Sequence, residues 1–198
     1  MKKLPLFFFI ALSQFLKAQT PSPYIDSLKT FQTHYVNKHE VVTGSDRKFM
    51  QFFPVDSSFR VIANFIRIDN GPWFEMNTSG KNKQIYRRYG ELQFLIGGKH
   101  LRLYAYQSQY FLGDKKFTNY LFAPFTDSTS AEESYGAGRY LDISILDIKD
   151  NKILIDFNKV YNPLCAYSHD WECPLPPREN DLAAYIRAGE KNYGKKVH

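Results

Sequence analysis

The sequence predicts a mostly β, α+β fold: an antiparallel sheet forming a sandwich or a partly closed barrel, with an N-terminal helix and a short C-terminal helix. Three observations predict it. Runs of alternating apolar residues recur between residues 60 and 157 and are joined mainly by short turns. Helical spacing is confined to the two ends of the chain. Aromatic residues make up 17% of the sequence, which favours strands around a wide interior or groove.

The chain opens as an export signal. Met1-Lys2-Lys3 precedes an apolar block over residues 4–12, and residues 13–18 form a small-residue exit. The block falls short of the roughly 20 apolar residues that span a bilayer. A signal peptide over residues 1–18, cleaved after Ala18, is therefore expected, followed by a single domain over residues 19–198 in a periplasmic or secreted location. Neither cysteine lies at the cleavage site, which excludes a lipid anchor on a cysteine there. Cleavage leaves 23 basic and 20 acidic side chains, so the charge falls from +6 to +3. Lys and Arg form only short local pairs, such as Arg87-Arg88 and Lys195-Lys196, rather than a basic face, so no nucleic-acid partner is expected. No later stretch reads as a transmembrane segment.

Pro23–Lys38 places Ile25, Leu28, Phe31, Tyr35 and Val36 three and four residues apart, as in a helix laid on a core. Residues 41–46 carry turn chemistry, and Phe52-Phe53-Pro54 leads into the first β run. Residues 60–68 are apolar on both alternating faces and read as a central strand buried on both sides. Residues 91–106 read as a hairpin turning at Gly97-Gly98. A second hairpin is expected from Leu141, Ile143 and Ile145 through a turn at Asp150-Asn151 to Ile153, Ile155 and Phe157. Residues 119–125 form another strand, and 73–77 and 84–88 are shorter candidates. The pattern then breaks over residues 161–177, which carry Pro163, Pro174, Pro176, Pro177 and both cysteines. Residues 179–191 resume helical spacing through Leu182, Tyr185, Ile186 and Gly189.

Several phrases are distinctive together: Phe53-Pro54-Val55-Asp56 with Arg60-Val61, Phe125-Thr126-Asp127, Tyr135-Gly136-Ala137-Gly138-Arg139-Tyr140-Leu141, Asp156-Phe157-Asn158, Tyr161-Asn162-Pro163, Cys165-Ala166-Tyr167, Cys173-Pro174-Leu175-Pro176-Pro177, Glu179-Asn180 and Ala188-Gly189-Glu190-Lys191. In this order they resemble the family called domain of unknown function 1684, over roughly residues 53–191. Ser134 stands where the family more often has Thr, and Leu164 where it has a smaller residue or proline. The family carries no assigned reaction, so the resemblance implies no catalytic residue.

The side chains are then read on their chemistry. Gly136-Ala137-Gly138 lacks the strand-then-helix context of a dinucleotide loop and reads as a turn feeding the strand at Arg139. An arginine opening an apolar strand needs a carboxylate or an anion, with Asp127, Asp142 and Glu179 as candidate partners. Cys165 and Cys173 most simply form a disulfide in an oxidising compartment; with His169, Asp170 and Glu172 nearby, metal binding or reactive thiols are the alternatives. Asn158 and Asn162 suit the satisfaction of loop backbone groups, and Glu179-Asn180 suit a helix cap. No cofactor is expected.

The leading functional reading is an exported, non-catalytic β domain that binds a small or extended ligand, with Asp127, Arg139, Asn158, Tyr161, Tyr167 and Glu179 as candidate binding residues. Two alternatives remain: a hydrolase-type enzyme using Asp127, Arg139 or Glu179 for acid–base work, and a structural or partner-binding module of the envelope. Whether Arg139 and Glu179 face one cavity separates these readings.

Overall fold

The computed structural model describes residues 23–197, so the expected signal peptide lies outside the described residues. Helix α1 (Pro23–Lys38) occupies the predicted span. Among the described residues eight strands follow: β1 (Arg60–Arg67), β2 (Trp73–Met76), β3 (Gln84–Ile96), β4 (Lys99–Ser108), β5 (Tyr120–Asp127), β6 (Arg139–Ser144), β7 (Lys152–Asp156) and β8 (Asp181–Leu182). The sheet order is β6-β5-β4-β3-β1-β7, with β2 beside β3 and β8 beside β5. All pairs are antiparallel except β5 with β8.

The sheet curls as a half-barrel, which settles sandwich against barrel in favour of the latter. The long β3 makes the curl possible. Its first residues pair with β2 and its later ones with β1, and the change of partner falls at a bulge between Arg88 and Gly90. A side chain at position 90 would collide with the Phe65 ring 2.2 Å away, so glycine there lets Phe65 lie against the strand.

The inner face carries the main core, where Phe94, Leu103, Leu121, Phe125, Ile155 and Phe157 meet. The opposite face of β2 to β6 buries Met76, Tyr86, Tyr106, Phe122 and Tyr140 beneath the proline-rich segment. The strand buried on both faces is thus β5, not β1. β1 buries Ala63 and Phe65 but leaves Ile62 66% and Ile66 48% exposed. Pro124 in β5 cannot donate to a neighbour. Asn180 fills the gap beside it, accepting from the Tyr104 N–H at 2.8 Å and donating to the carbonyls of Tyr104 at 3.0 Å and Pro124 at 2.8 Å.

The first expected hairpin, β3 with β4, is present with its turn at Gly97-Gly98. The second is not. β6 pairs with β5 and β7 with β1, so the two strands lie at opposite ends of the sheet. The Asp150-Asn151 turn does form, with φ of 49° and 56°, but it joins Lys149 to Lys152 after a 3-10 turn (Ile145–Asp147) has carried the chain across. The C-terminal helix is confined to one 3-10 turn, Arg178–Asn180; beyond it come β8 and a strap through residue 191 with no α-helix.

Because the sheet curls, its two end strands face each other across an unclosed seam that α1 covers. Antiparallel strands turn alternate backbone groups toward opposite neighbours. Tyr140 turns away from β5 and exchanges two bonds with Tyr161, at 2.8 and 3.2 Å. Asp142, two residues on, therefore turns its N–H and C=O into the seam. On the other side the Asn151 carbonyl accepts from Phe65 N–H of β1 at 2.8 Å, which leaves Leu154 turned toward the seam.

Candidate functional site

The sequence-predicted residues fall into five separate places. Asp127 and Arg139, at the end of β5 and the start of β6, form a sealed pair with side chains 0% and 1% exposed. Arg139 Nη2 donates to Asp127 Oδ1 at 3.3 Å and to the Ile186 carbonyl at 2.8 Å, while Nη1 donates to the carbonyls of Ala188 at 2.6 Å and Glu190 at 3.1 Å. Asp127 in turn accepts from Ile186 N–H at 2.6 Å and Thr129 Oγ1 at 2.9 Å. The pair clamps the C-terminal strap onto the sheet.

Glu179 lies elsewhere. It takes a two-pronged bond from Arg88, at 2.7 and 2.8 Å, and a third from the Tyr106 hydroxyl at 2.9 Å. Arg88 holds its carboxyl below the usual range. Neither Glu179 nor Asn180 caps a helix, because each is spent on the sheet. Asn158, 1% exposed, ties the loop at Asp56 to the end of β7: its Oδ1 accepts from Asp56 N–H at 3.0 Å and its Nδ2 donates to the Asp56 carbonyl at 2.8 Å. Tyr167 donates to Glu190, a buried carboxyl that sequence reasoning missed. Glu190 also accepts from Asn162 N–H at 2.9 Å and the Tyr35 hydroxyl at 3.3 Å. Its complete burial outweighs those bonds and pushes its carboxyl up to about 7. Its place in the Ala188-Gly189-Glu190-Lys191 phrase was the one sequence signal available.

Tyr161 alone of the predicted group faces open space. It stands with Phe31 and Tyr35 of α1 between two adjoining cavities of about 380 and 520 Å³. The first opens on the seam, between Leu141, Asp142 and Ile143 of β6 and Ile153 and Ile155 of β7. Asp142 accepts from the Tyr161 hydroxyl at 2.8 Å and the Tyr120 hydroxyl at 2.9 Å. Crowding by the surrounding protein pushes its carboxyl above the ordinary range in spite of both bonds. The second cavity runs under the end of α1, lined by His39, Tyr140, Asn162 and Pro174.

Two buried polar atoms in the second wall lack a partner. His39, 7% exposed, accepts the Val42 N–H at its Nδ1 at 2.9 Å, which places the ring proton on Nε2; that nitrogen donates to nothing. Burial lowers the pKa of this ring, favouring the neutral form. Asn162, 1% exposed, donates from Nδ2 to the Lys191 carbonyl at 2.8 Å, and its Oδ1 accepts nothing. Buried polar atoms without partners are rare in native proteins and call for an explanation.

Cys165 and Cys173 are both free and buried, so the expected disulfide is not formed. The sulfurs sit at hydrogen-bonding rather than bonding separation. Cys173 Sγ accepts the Cys165 N–H at 3.1 Å, and the Tyr135 hydroxyl lies 3.7 Å from Cys165 Sγ. The bond from the Cys173 thiol pulls the Cys165 thiol down to about 6. His169 and Asp170 point to solvent, and Glu172 accepts from the N–H groups of Lys81 and Asn82. Among the described residues no cluster of three or more such side chains is placed to hold a metal ion. No helix among them is long and apolar enough to cross a membrane.

Fold and site together define a curled antiparallel-sheet domain with a helix-covered groove at its seam. Residues 47–191 match the model of the family described as "Protein of unknown function (DUF1684)", and the chain belongs to that family. It is similar to the solution structure of an uncharacterized protein from gene locus rrnAC0354 of Haloarcula marismortui, with a TM-score of 0.62 and 26% identity over 85% of this chain and 94% of that one. No curated protein matches.

Proposed function

We propose that this is a non-catalytic binding protein whose groove beneath α1 takes a small organic ligand. The observation that carries the reading is the cavity of about 520 Å³ beneath α1, large enough for a small molecule, with the polar residues His39 and Asn162 among apolar and aromatic ones in its wall. The acid–base alternative draws no such support: Asp127 and Arg139 are sealed from solvent, and Glu179 is saturated by Arg88 and Tyr106. The partner-module alternative has Ile62, Leu95 and Leu154 on the outer sheet face, but Asn64, Gln93 and Lys152 break up that patch in the next row.

Export completes the proposal. The chain acts in the periplasm or outside the cell after cleavage following Ala18, and there a thiol–disulfide oxidant of that compartment, taking two electrons and two protons, would close the pair that is free in this structure into a disulfide. N-terminal sequencing of protein recovered from its host then reads Gln19 first; Met1 on a cytoplasmic species overturns that part.

The groove is tested by titration with the neutral dye Nile red. The wild-type protein is expected to bind it with a rise in fluorescence, and Leu164→Trp, which fills the second cavity from its wall, to bind at least tenfold more weakly while melting at a similar temperature. Equal binding by both proteins, or none by either, overturns the groove reading.

A further inference from the structure

The two cavities differ in charge, and the difference names a ligand class. Around the second, Lys38 is offset by Glu40 and Glu172. Around the first, Asp142, Asp147 and Asp156 face a single base, Lys159. Asp156 is occupied by Tyr24 and Asn158, which leaves Asp142 and Asp147 to set the field. Asp142 has no ion-pair partner among the described residues. Its two tyrosine bonds use about half of the roughly four acceptor sites a carboxylate offers.

The walls agree with that charge. Tyr35 and Tyr161 meet with ring centroids 6.0 Å apart, and Tyr140 stands 5.9 Å from Tyr161. Aromatic faces attract ammonium groups through the ring quadrupole. The groove already shows this chemistry, since the Lys159 ammonium rests 5.6 Å from the centroid of Phe31. Beside Asp142 the seam is aliphatic, with Leu141, Ile143, Ile153 and Ile155.

We propose that the ligand is an organic amine: its ammonium group sits on the Asp142 carboxylate among the tyrosines, and its hydrocarbon body lies along the seam between β6 and β7. This rests on the groove being a ligand site and adds the class of ligand. An anion would meet two uncompensated carboxylates there, and a neutral ligand would leave Asp142 without a counter-charge.

Isothermal titration of the folded protein at neutral pH with n-hexylammonium, hexan-1-ol and n-hexanoate isolates the charge at nearly constant shape. Hexylammonium is expected to bind at least tenfold more tightly than hexanol, and hexanoate most weakly. Asp142→Asn is expected to erase the ammonium's advantage over hexanol. The ranking of the three probes on the wild-type protein stands even where that variant folds poorly. Hexanol or hexanoate binding as tightly as hexylammonium overturns the proposal, as does an Asp142→Asn variant that folds and keeps the full preference. Silence from all three probes while Nile red binds overturns the amine and leaves the groove standing; silence from Nile red as well overturns both.

Discussion

Replacing Arg139 by Met probes the clamp that holds the C-terminal strap. The substitution roughly keeps volume but leaves the Asp127 side chain at 0% exposure without its cationic partner, with Thr129, Ser130 and the Ile186 N–H as its remaining partners. It also removes the donor from three carbonyls, those of Ile186, Ala188 and Glu190. Breaking a buried ion pair from one side costs about 3–5 kcal/mol, and each orphaned buried acceptor adds about 1 kcal/mol or more where nothing relaxes. A loss of about 4 kcal/mol or more is therefore expected. At about 2–4 °C per kcal/mol for a domain of this size, that lowers Tm by roughly 8–16 °C. Arg88→Met breaks a pair whose side chains are 44% and 25% exposed, where solvent screening holds the loss to about 1 kcal/mol. Urea denaturation followed by circular dichroism compares the two variants with wild type. In the double variant with Asp127→Asn, part of the Arg139→Met loss should return, because the stranded charge is gone. Coincident transitions for Arg139→Met and Arg88→Met would refute the clamp.

Three further outcomes follow from other elements. Glu190 has its folded pKa raised from 4.5 to about 7 by burial, so the folded state holds its proton more tightly than the unfolded one; stability falls as pH rises from about 4.5 through about 7, by about 3 kcal/mol, and Glu190→Gln flattens that slope. Melting curves at pH 5 and pH 8 that shift equally for wild type and variant speak against it. Protein recovered from an oxidising compartment and mapped without reductant should yield a Cys165–Cys173 linked peptide worth about 2.5 kcal/mol by loop-closure entropy, whereas two alkylatable thiols after unfolding dismiss the bridge. Gly138 sits at φ 92°, and a Cβ there would lie 2.6 Å from both the Phe125 carbonyl oxygen and Pro176, so Gly138→Ala should destabilise by more than about 1 kcal/mol. An unchanged urea midpoint contradicts that.

What the sequence discloses here is what neighbouring residues decide among themselves. The apolar stripe of α1 and the Gly97-Gly98 hairpin are set within a few residues, and both lie where periodicity places them. The Asp150-Asn151 turn was equally legible, but its chemistry says only that the chain reverses, not which strands pair. The intervening Ile145–Asp147 turn sends β7 to the far end of the sheet. Continuous apolar runs occur in both β1 and β5, and only the packing of the proline-rich segment over β5 decides which is covered twice. For the site, the need of Arg139 for a carboxylate was readable and its partner was among those named. Asp142 could have been singled out as the outward residue between inward Leu141 and Ile143. His39 had no local signature at all, because its environment comes from Tyr167 and a cavity assembled by distant segments.

The open seam also bears on self-association. A closed barrel has no free edge, whereas this sheet has two end strands, β7 and the part of β6 beyond the Tyr140–Tyr161 bridge, whose backbone groups could recruit a strand from another molecule. Helix α1 works as the missing stave: Tyr24 fastens it to Asp156 at the end of β7, Tyr35 fastens it to Glu190, and Leu28 is buried beneath it. Its removal is therefore expected to favour edge-to-edge association, independent of anything bound in the groove. A chain trimmed back to residue 40 would bare both edges at once, and copies would be free to zip together edge to edge.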